Sequence, residues 1–413
     1  MPKTQGKDRW FLSYLPMNTS SGISSPLAPL FITEILKGGV IEYSIFVVVS
    51  SLATIMGLSV WGNLSDKLGR RRFFVLFGFL SLAATSLLLS ISFNITYFIS
   101  ISFLSGFLGS AVTPVSSVLI MELAERKDWA LKISKFSQYN TYGQIAGVMF
   151  AAIFSGYYPH VGSLRYLYIF SFGFYLLSAL LGYMLVPESK NKVNRNEIPL
   201  GILRAFEKVR YLPSQIIHFN FHFRELDRDL KTIIIGFFVM MTGFQLFFVA
   251  FPILIKSIGV SSTVFFIIYL GNYLFSAITF GFSGQIAFRY GNRRIAVLAT
   301  LVRIFIFPSM IVLISLITFK PYLFISFLLV YSVLGSLWSF ISVGTGTLVS
   351  NLSKPEERGR VSGTYNAIQS LGAVMGSAFT GLIVASIGYD ADFLIASAVT
   401  AVGLLIFSRI RSK

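Results

Sequence analysis

The sequence predicts an all-α integral membrane protein with twelve transmembrane helices, arranged as two pseudo-symmetric six-helix bundles. Three observations carry this reading. Only 12% of the 413 residues are charged and 54% are hydrophobic, with a mean hydropathy of +0.74. A domain in water carries about 25% charged residues, so this chain lacks the charge to cover a water-facing surface. Twelve apolar runs are long enough to cross about 30 Å of hydrocarbon, at 10–35, 43–64, 73–93, 96–122, 131–156, 166–187, 232–255, 263–287, 295–319, 321–350, 360–387 and 391–408. Finally, markers in the first six runs recur in the second six.

The first run follows a basic start, Met1 to Arg9, but does not read as a cleaved leader. Pro16 and Asn18-Thr19-Ser20-Ser21 interrupt it, and it continues through Ser24-Ser25-Pro26 to Glu34, longer and more polar than a signal core. Between runs two and three lies Gly62-Asn63-Leu64-Ser65-Asp66-Lys67-Leu68-Gly69-Arg70-Arg71-Arg72. A worn copy, Gly284-Gln285-Ile286-Ala287-Phe288-Arg289-Tyr290-Gly291-Asn292-Arg293-Arg294, sits between runs eight and nine. Pro29 to Ile35 aligns with Pro252 to Ile258 at nearly the same offset, as does Gly143-x-x-x-Gly147 with Gly372-x-x-x-Gly376. An even number of spans separates the copies, so the halves share one orientation. Such repeats define an architecture rather than decorate it.

The halves, 1–187 and 232–413, are joined by a basic linker at 188–231. Within it, Leu200, Leu203, Phe206 and Val209 fall at helical spacing with Arg204, Lys208 and Arg210 between them. This predicts an amphipathic helix from Pro199 to Arg210 on the cytoplasmic surface. The linker is too short to hold a core of its own.

The net charge of +17 reads as topology. With the N-terminus in the cytoplasm, all but five of the 34 Lys and Arg fall on that side. Lys37, Arg165, Lys256 and Lys320 lie outside, and Arg303 lies within a span. That bias orients both termini inward, in contact with anionic headgroups. Nucleic-acid binding would need a soluble basic domain, which is absent. There is no cysteine, which removes disulfides, thiolate metal sites and cysteine nucleophiles. With three histidines and no cysteine a metal centre is not expected, and no cofactor is expected.

The basic turns carry a resemblance. They are similar to the loop 2–3 signature of the major facilitator superfamily of transporters, roughly G-x-L-[AS]-D-[RK]-x-G-R-[RK]-[RK], and the first copy matches at almost every defined position. Glu122 to Lys127 and Lys354 to Arg360 resemble that family's loops 4–5 and 10–11, and Pro187-Glu188-Ser189 is similar to part of a sugar-porter signature. The resemblance implies parallel six-helix halves working by alternating access around a midplane site. It also implies that helices 1, 4, 7 and 10 line a central cavity while 3, 6, 9 and 12 face outward.

For the first turn it implies a conformational latch, with Asp66 against the N-terminus of helix 11 near Arg358-Gly359-Arg360. A carboxylate there gains about 0.3–1 kcal/mol, up to ~2 when partly buried, enough to bias two conformers without locking them. Gly62, Gly69, Arg70 and Arg71 form the rest of the first copy, and Gly291 and Arg293 the second. Phe288 stands at the acid position of the second copy, so a mirror latch has no carboxylate. Ser102 stands where drug–proton antiporters of the family carry an arginine, and helix 5 lacks their Gly-Pro pair, which counts against proton-coupled antiport.

Polar groups are costly in hydrocarbon and collect on protein-facing or water-facing sides. The substrate-site candidates are therefore Asn18, Ser21, Ser25, Thr113, Ser117, Thr242, Gln245, Trp338 and Ser342 on the cavity helices, with Asn140, Gln144, Asn366 and Gln369 on helices 5 and 11. Any one of them can equally serve as a helix–helix hydrogen bond. Glu34, near the outer end of helix 1, is the proton-coupling candidate; its rival role is an interfacial acid facing headgroups. Asp390 and Asp392 read as loop acids. Arg303 is too deep to snorkel, so it should face protein or water. Backbone carbonyls, hydroxyls or an anionic substrate remain as its partners.

A membrane enzyme would need His, Asp or Glu clustered at one membrane face, and no such constellation occurs; no catalytic residue is assigned. No G-x-x-x-x-G-K-[ST] loop exists to drive an ATP pump. The expected function is secondary transport of a small organic solute, first as efflux of hydrophobic or amphipathic compounds, because the expected cavity has few charges and many aromatics. Uptake of a sugar or organic acid is the alternative, and a non-transporting membrane sensor a third. Protons are the candidate coupling ion. The chain is expected to work as a monomer in the plasma membrane, with the lipid bilayer as its other partner.

Overall fold

The structure is a computed structural model and describes residues 8–123, 129–187, 226–354 and 358–409. The expected amphipathic helix from Pro199 to Arg210 lies outside the described residues. Among those residues every regular element is helical. In order these are α1 (Tyr14–Leu30), α2 (Val40–Leu68), α3 (Arg71–Ser90), α4 (Ile95–Gly109), α5 (Val112–Leu123), α6 (Trp129–Tyr157), α7 (Leu164–Leu185), α8 (Arg228–Ser257), α9 (Ser262–Tyr290), α10 (Asn292–Leu316), α11 (Lys320–Leu352) and α12 (Arg358–Phe407). Among the described residues eight helices are long and apolar enough to cross a membrane, one of them the Val361–Phe407 stretch that holds two runs, and Ile95–Gly109 is a shorter apolar helix. The remaining runs are the proline-bearing α1 and the lysine-bearing α6.

Local chemistry accounts for the departures from one helix per run. The fourth run, expected as one span, is split into α4 and α5 at Ser110-Ala111. Pro114 has no N–H to return to the carbonyl of Ser110, which breaks the ladder there. α1 carries Pro26 and Pro29 and ends in a wider π turn, Phe31–Ile35; prolines remove donors and crowd the preceding turn, and such turns are a known relief. α12 carries the eleventh and twelfth runs, with the chain turning at Gly388, whose φ of 89° is a glycine conformation. Asn94 caps α4, its side chain accepting from the Tyr97 N–H at 2.7 Å.

The chain divides into two compact units, Met1–Phe31 with Val49–Phe219, and Ile32–Val48 with Asn220–Lys413. In the first, α1 packs on α6 and α7, and α3 on α7, α4 and α5. One aromatic cluster anchors it: Tyr14 meets Phe136 at 4.8 Å and Phe79 at 5.3 Å between ring centroids. In the second, α8 packs on α12, α9 on α11, and α10 on both α11 and α12. Segment 32–48 belongs here because Glu34 pairs with Lys256 and Ser44 lies against Gly381.

The repeat read from the sequence recurs as packing. A methyl built on Gly143 would stand 2.6 Å from the Leu15 carbonyl oxygen, and one on Gly147 2.0 Å from that of Thr19. In the second unit, methyls on Gly372 and Gly376 would stand 2.5 Å from the Phe238 oxygen and 2.3 Å from the Thr242 oxygen. Gly106 against Ser50 is matched by Gly335 against Asn272. Helix pairs in lipid associate through such small residues, because close backbone approach replaces the hydrophobic force that apolar solvent cannot supply.

Candidate functional site

The second unit forms a partly open cavity of about 210 Å³ between α8, α9, α10 and α11. One water needs only ~10–15 Å³ of such space, so this is room for a small organic molecule. Gln245, Phe244 and Phe248 enter from α8, Ser276 from α9, Arg303 from α10 and Trp338 from α11. The i, i+1, i+4 spacing of the α8 residues puts them on one helix face. Among the described residues no acidic side chain lines the cavity.

Arg303 is the charged group of this cavity and is 1% exposed. Its Nη2 donates to the Leu334 carbonyl oxygen at 2.8 Å. Its guanidinium lies 4.5 Å from the Phe244 ring centre, 5.4 Å from Phe248 and 5.6 Å from Trp338. Ring faces attract a cation, by about 2 kcal/mol or more when desolvated. Nε and Nη1 meet no acceptor among the described residues. The family pattern would turn helix 9 outward; here it delivers Arg303 to an interior cavity.

The other candidates separate by what they touch. Gln245 and Trp338 line the cavity. Asn18 is committed to the helix pairing, its Nδ2 donating to the Tyr14 carbonyl at 2.8 Å and to Asn140 Oδ1 at 2.9 Å. Ser21 and Thr242 donate back along their own helices, to Met17 and Phe238. The Gln144 carbonyl packs against Gly22. Ser25, Thr113 and Asn366 are exposed, and Ser342 and Gln369 are partly so, away from this cavity. Ser117 lies on α5, its side chain outside the described residues.

Glu34 is not left to headgroups: its carboxylate pairs with the Lys256 ammonium, the two side chains 19% and 13% exposed. In the first basic turn Gly62 is within α2, and Gly69 takes a φ of 62° and donates its N–H to the Ser65 carbonyl at 2.9 Å, closing α2. Arg70 is exposed, and Arg71 is buried with Nη1 donating to Ser65 Oγ at 2.5 Å. In the second, Gly291 takes a φ of 93°. Arg72 donates to the Tyr183 carbonyl near the end of α7, and Arg293 to the Ser408 carbonyl just past α12. Each basic turn thus caps the last helix of its own half, where cations are favoured. Phe288, at the missing acid's position, is 94% exposed. Asp66 lies on α2 and Arg358 begins α12, but both side chains, and with them the expected latch contact, lie outside the described residues.

One functional candidate escaped the sequence. Asp392, read as a loop acid, is in α12 and fully buried, with neither carboxylate oxygen meeting a donor among the described residues. The chain turns at Gly388, in the gap between the runs 360–387 and 391–408, and Asp392 falls on the helical side of it. Asp392 stands four positions beyond Gly388, enough to carry it into the helix.

A sequence profile of the Major Facilitator Superfamily matches residues 10–327 and again 233–413. The chain belongs to this superfamily. No curated protein matches the sequence. Solved structures do match in fold. A bacterial homolog to the human lysosomal transporter Spinster, in an inward-facing and occupied conformation, has a TM-score of 0.74 at 12% identity, over 99% of this chain and 98% of that one. The nucleoside transporter NupG has a TM-score of 0.69 at 14% identity, over all of both chains (100% and 100%). The D-xylose-proton symporter has a TM-score of 0.70 at 16% identity, over 98% and 96%. These likenesses are of fold; with the superfamily match they define the class as a multi-pass membrane protein of the major facilitator transporter fold.

Proposed function

We propose that this protein is a secondary transporter that moves a small organic solute with a large apolar or aromatic part by alternating access. The observation that supports it is the interior cavity where Gln245 and Arg303 stand among Phe244, Phe248 and Trp338. A few polar groups among aromatic walls suit orientation of an otherwise apolar ligand. Export of hydrophobic or amphipathic compounds is the first reading of direction. Uptake of an organic acid is the second, favoured by the charge of Arg303.

In this reading Asp66 and the start of α12 form the latch, and Glu34 is the proton-exchange candidate, with Lys256 released when Glu34 is neutralised. The protein works as a monomer in the plasma membrane with both termini cytoplasmic. Purified protein in proteoliposomes, offered a varied compound panel with and without a pH gradient, tests the proposal. Saturable flux of amphipathic aromatics above empty liposomes, abolished by Asp66→Asn in correctly inserted protein, is the expected result. No flux of any compound in either direction would remove the transporter reading.

A further inference from the structure

We infer that the cavity between α8, α9, α10 and α11 is a binding site for a small aromatic monocarboxylate, with Arg303 as the group that receives the carboxylate. The inference rests on the transporter reading only in calling that compound a substrate; the site itself stands on geometry.

A guanidinium placed only to join two helices would spend its donors on them. Arg303 spends Nη2 on the Leu334 carbonyl and leaves Nε and Nη1 without a protein acceptor while 1% exposed. Nε carries one N–H and Nη1 two, and leaving such donors buried and unmet is costly. The side chain is held in place by ring faces, the nearest being Phe244 at 4.5 Å. Rings fix its plane without consuming its donors. This is how a charge is preorganised for an incoming partner.

The lining selects among partners. No carboxylate offsets the positive charge, so the field in this low-dielectric space favours an anion. One arginine balances one negative charge, which favours a carboxylate over a phosphate dianion. Trp338, Phe248 and Leu334 offer an apolar bed for a ring, and Gln245 a second polar contact. The Ser276 hydroxyl is already paired with that of Ser339 at 3.4 Å, and Asn272 Nδ2 donates to the Tyr331 carbonyl at 2.7 Å. The available polar chemistry therefore converges on Arg303 and Gln245.

The test uses the purified full-length protein in detergent with radiolabelled benzoate, and unlabelled benzamide and inorganic phosphate as competitors. Benzamide keeps the ring and removes the charge. Benzoate is expected to bind at least about tenfold more tightly than benzamide, the size of a charge-assisted hydrogen bond, and phosphate is expected to compete poorly. Arg303→Gln should erase the preference for benzoate; Arg303→Lys should keep it with weaker binding, because the planar fork is lost. Benzoate binding unchanged in folded Arg303→Gln protein would overturn the assignment. So would equal binding of benzoate and benzamide by wild type, no benzoate binding at all, or phosphate competing as well as benzoate. Where Arg303→Gln does not fold, the wild-type ratio decides. Flux in proteoliposomes separates the two proposals. Arg303-dependent benzoate binding with no flux of any compound sinks the transporter reading alone, and flux with benzoate binding indifferent to Arg303 sinks the site alone.

Discussion

Gly147 lies against Thr19 so closely that a methyl on it would stand 2.0 Å from the Thr19 carbonyl oxygen. The same relation recurs between Gly376 and Thr242. Gly147→Ala must therefore push α6 off α1, and overpacking of this kind costs about 1–3 kcal/mol. Gly173→Ala on α7 is the control: its methyl meets nothing within 4 Å, and alanine is the better helix former by roughly 0.5–1 kcal/mol. Thermal unfolding in detergent should show a clear fall in midpoint for the first and none for the second. Equal midpoints would mean that the two helices do not depend on this contact.

Glu34 and Lys256 form an ion pair within the second unit, mostly shielded from solvent. Exposed pairs are worth about 0–1 kcal/mol, while removing one partner of a fully buried pair costs ~3–5. This pair stands between those limits. Glu34→Gln should destabilise by about 1–3 kcal/mol, and the added Lys256→Gln should recover much of the loss, because the second change removes the orphaned charge. A double variant as unstable as the sum of the singles would show that the two residues do not couple.

Much of this was legible before any coordinates. Sparse charge, long apolar runs and the paired turns at Gly62 and Gly284 define the family and fold, since a membrane span and a repeat are both written in local sequence. The glycines Gly143, Gly147, Gly372 and Gly376 were visible as a repeat, and the structure supplies their reason in carbonyl contacts with α1 and α8. Individual site residues were less legible. Asn18 and Gln245 are both amides on cavity-lining helices, and sequence gave them equal standing. Asn18 is consumed by Asn140, while Gln245 reaches a cavity. Arg303 was visible as an isolated charge, but only the rotation of α10 decides whether it faces lipid or an interior space. Asp392 is misread as a loop acid because the chain turns at the single residue Gly388 and is helical again before Asp392.

Asp8 ties the start of the chain to α6. Its carboxylate accepts from Lys132 Nζ at 2.5 and 2.6 Å and from Lys135 Nζ at 3.2 Å. Partial burial pushes the Asp8 carboxyl upward, but the hydrogen bonds and charges of Lys132 and Lys135 together outweigh it and hold it below its ordinary value of 3.8. A carboxyl lowered in the folded state stabilises fully above the unfolded value and ceases to do so as the pH falls through the folded one. Asp8→Asn should thus lower the unfolding midpoint at neutral pH, by an amount near 1 kcal/mol. The gap from wild type should close as the pH is taken below 3.8. A gap that persists unchanged at low pH would assign the contact to packing rather than charge.

Asp392 makes the opposite prediction. Both oxygens are buried in α12 and meet no donor among the described residues, so an ionised carboxylate there would be dehydrated without compensation, and even the protonated acid leaves its polar atoms unmet. Such burial is among the costliest arrangements a side chain can adopt. Asparagine has nearly the same shape and no charge, so Asp392→Asn should raise the unfolding midpoint where Glu34→Gln lowers it. Stability and transport are then read on the same preparation. A stabilised variant that transports normally makes Asp392 a tolerated cost. A stabilised variant that no longer transports makes it a functional carboxylate, since natural chains keep destabilising groups where activity needs them. A lower midpoint for Asp392→Asn would overturn the premise that removing the acid relieves this site.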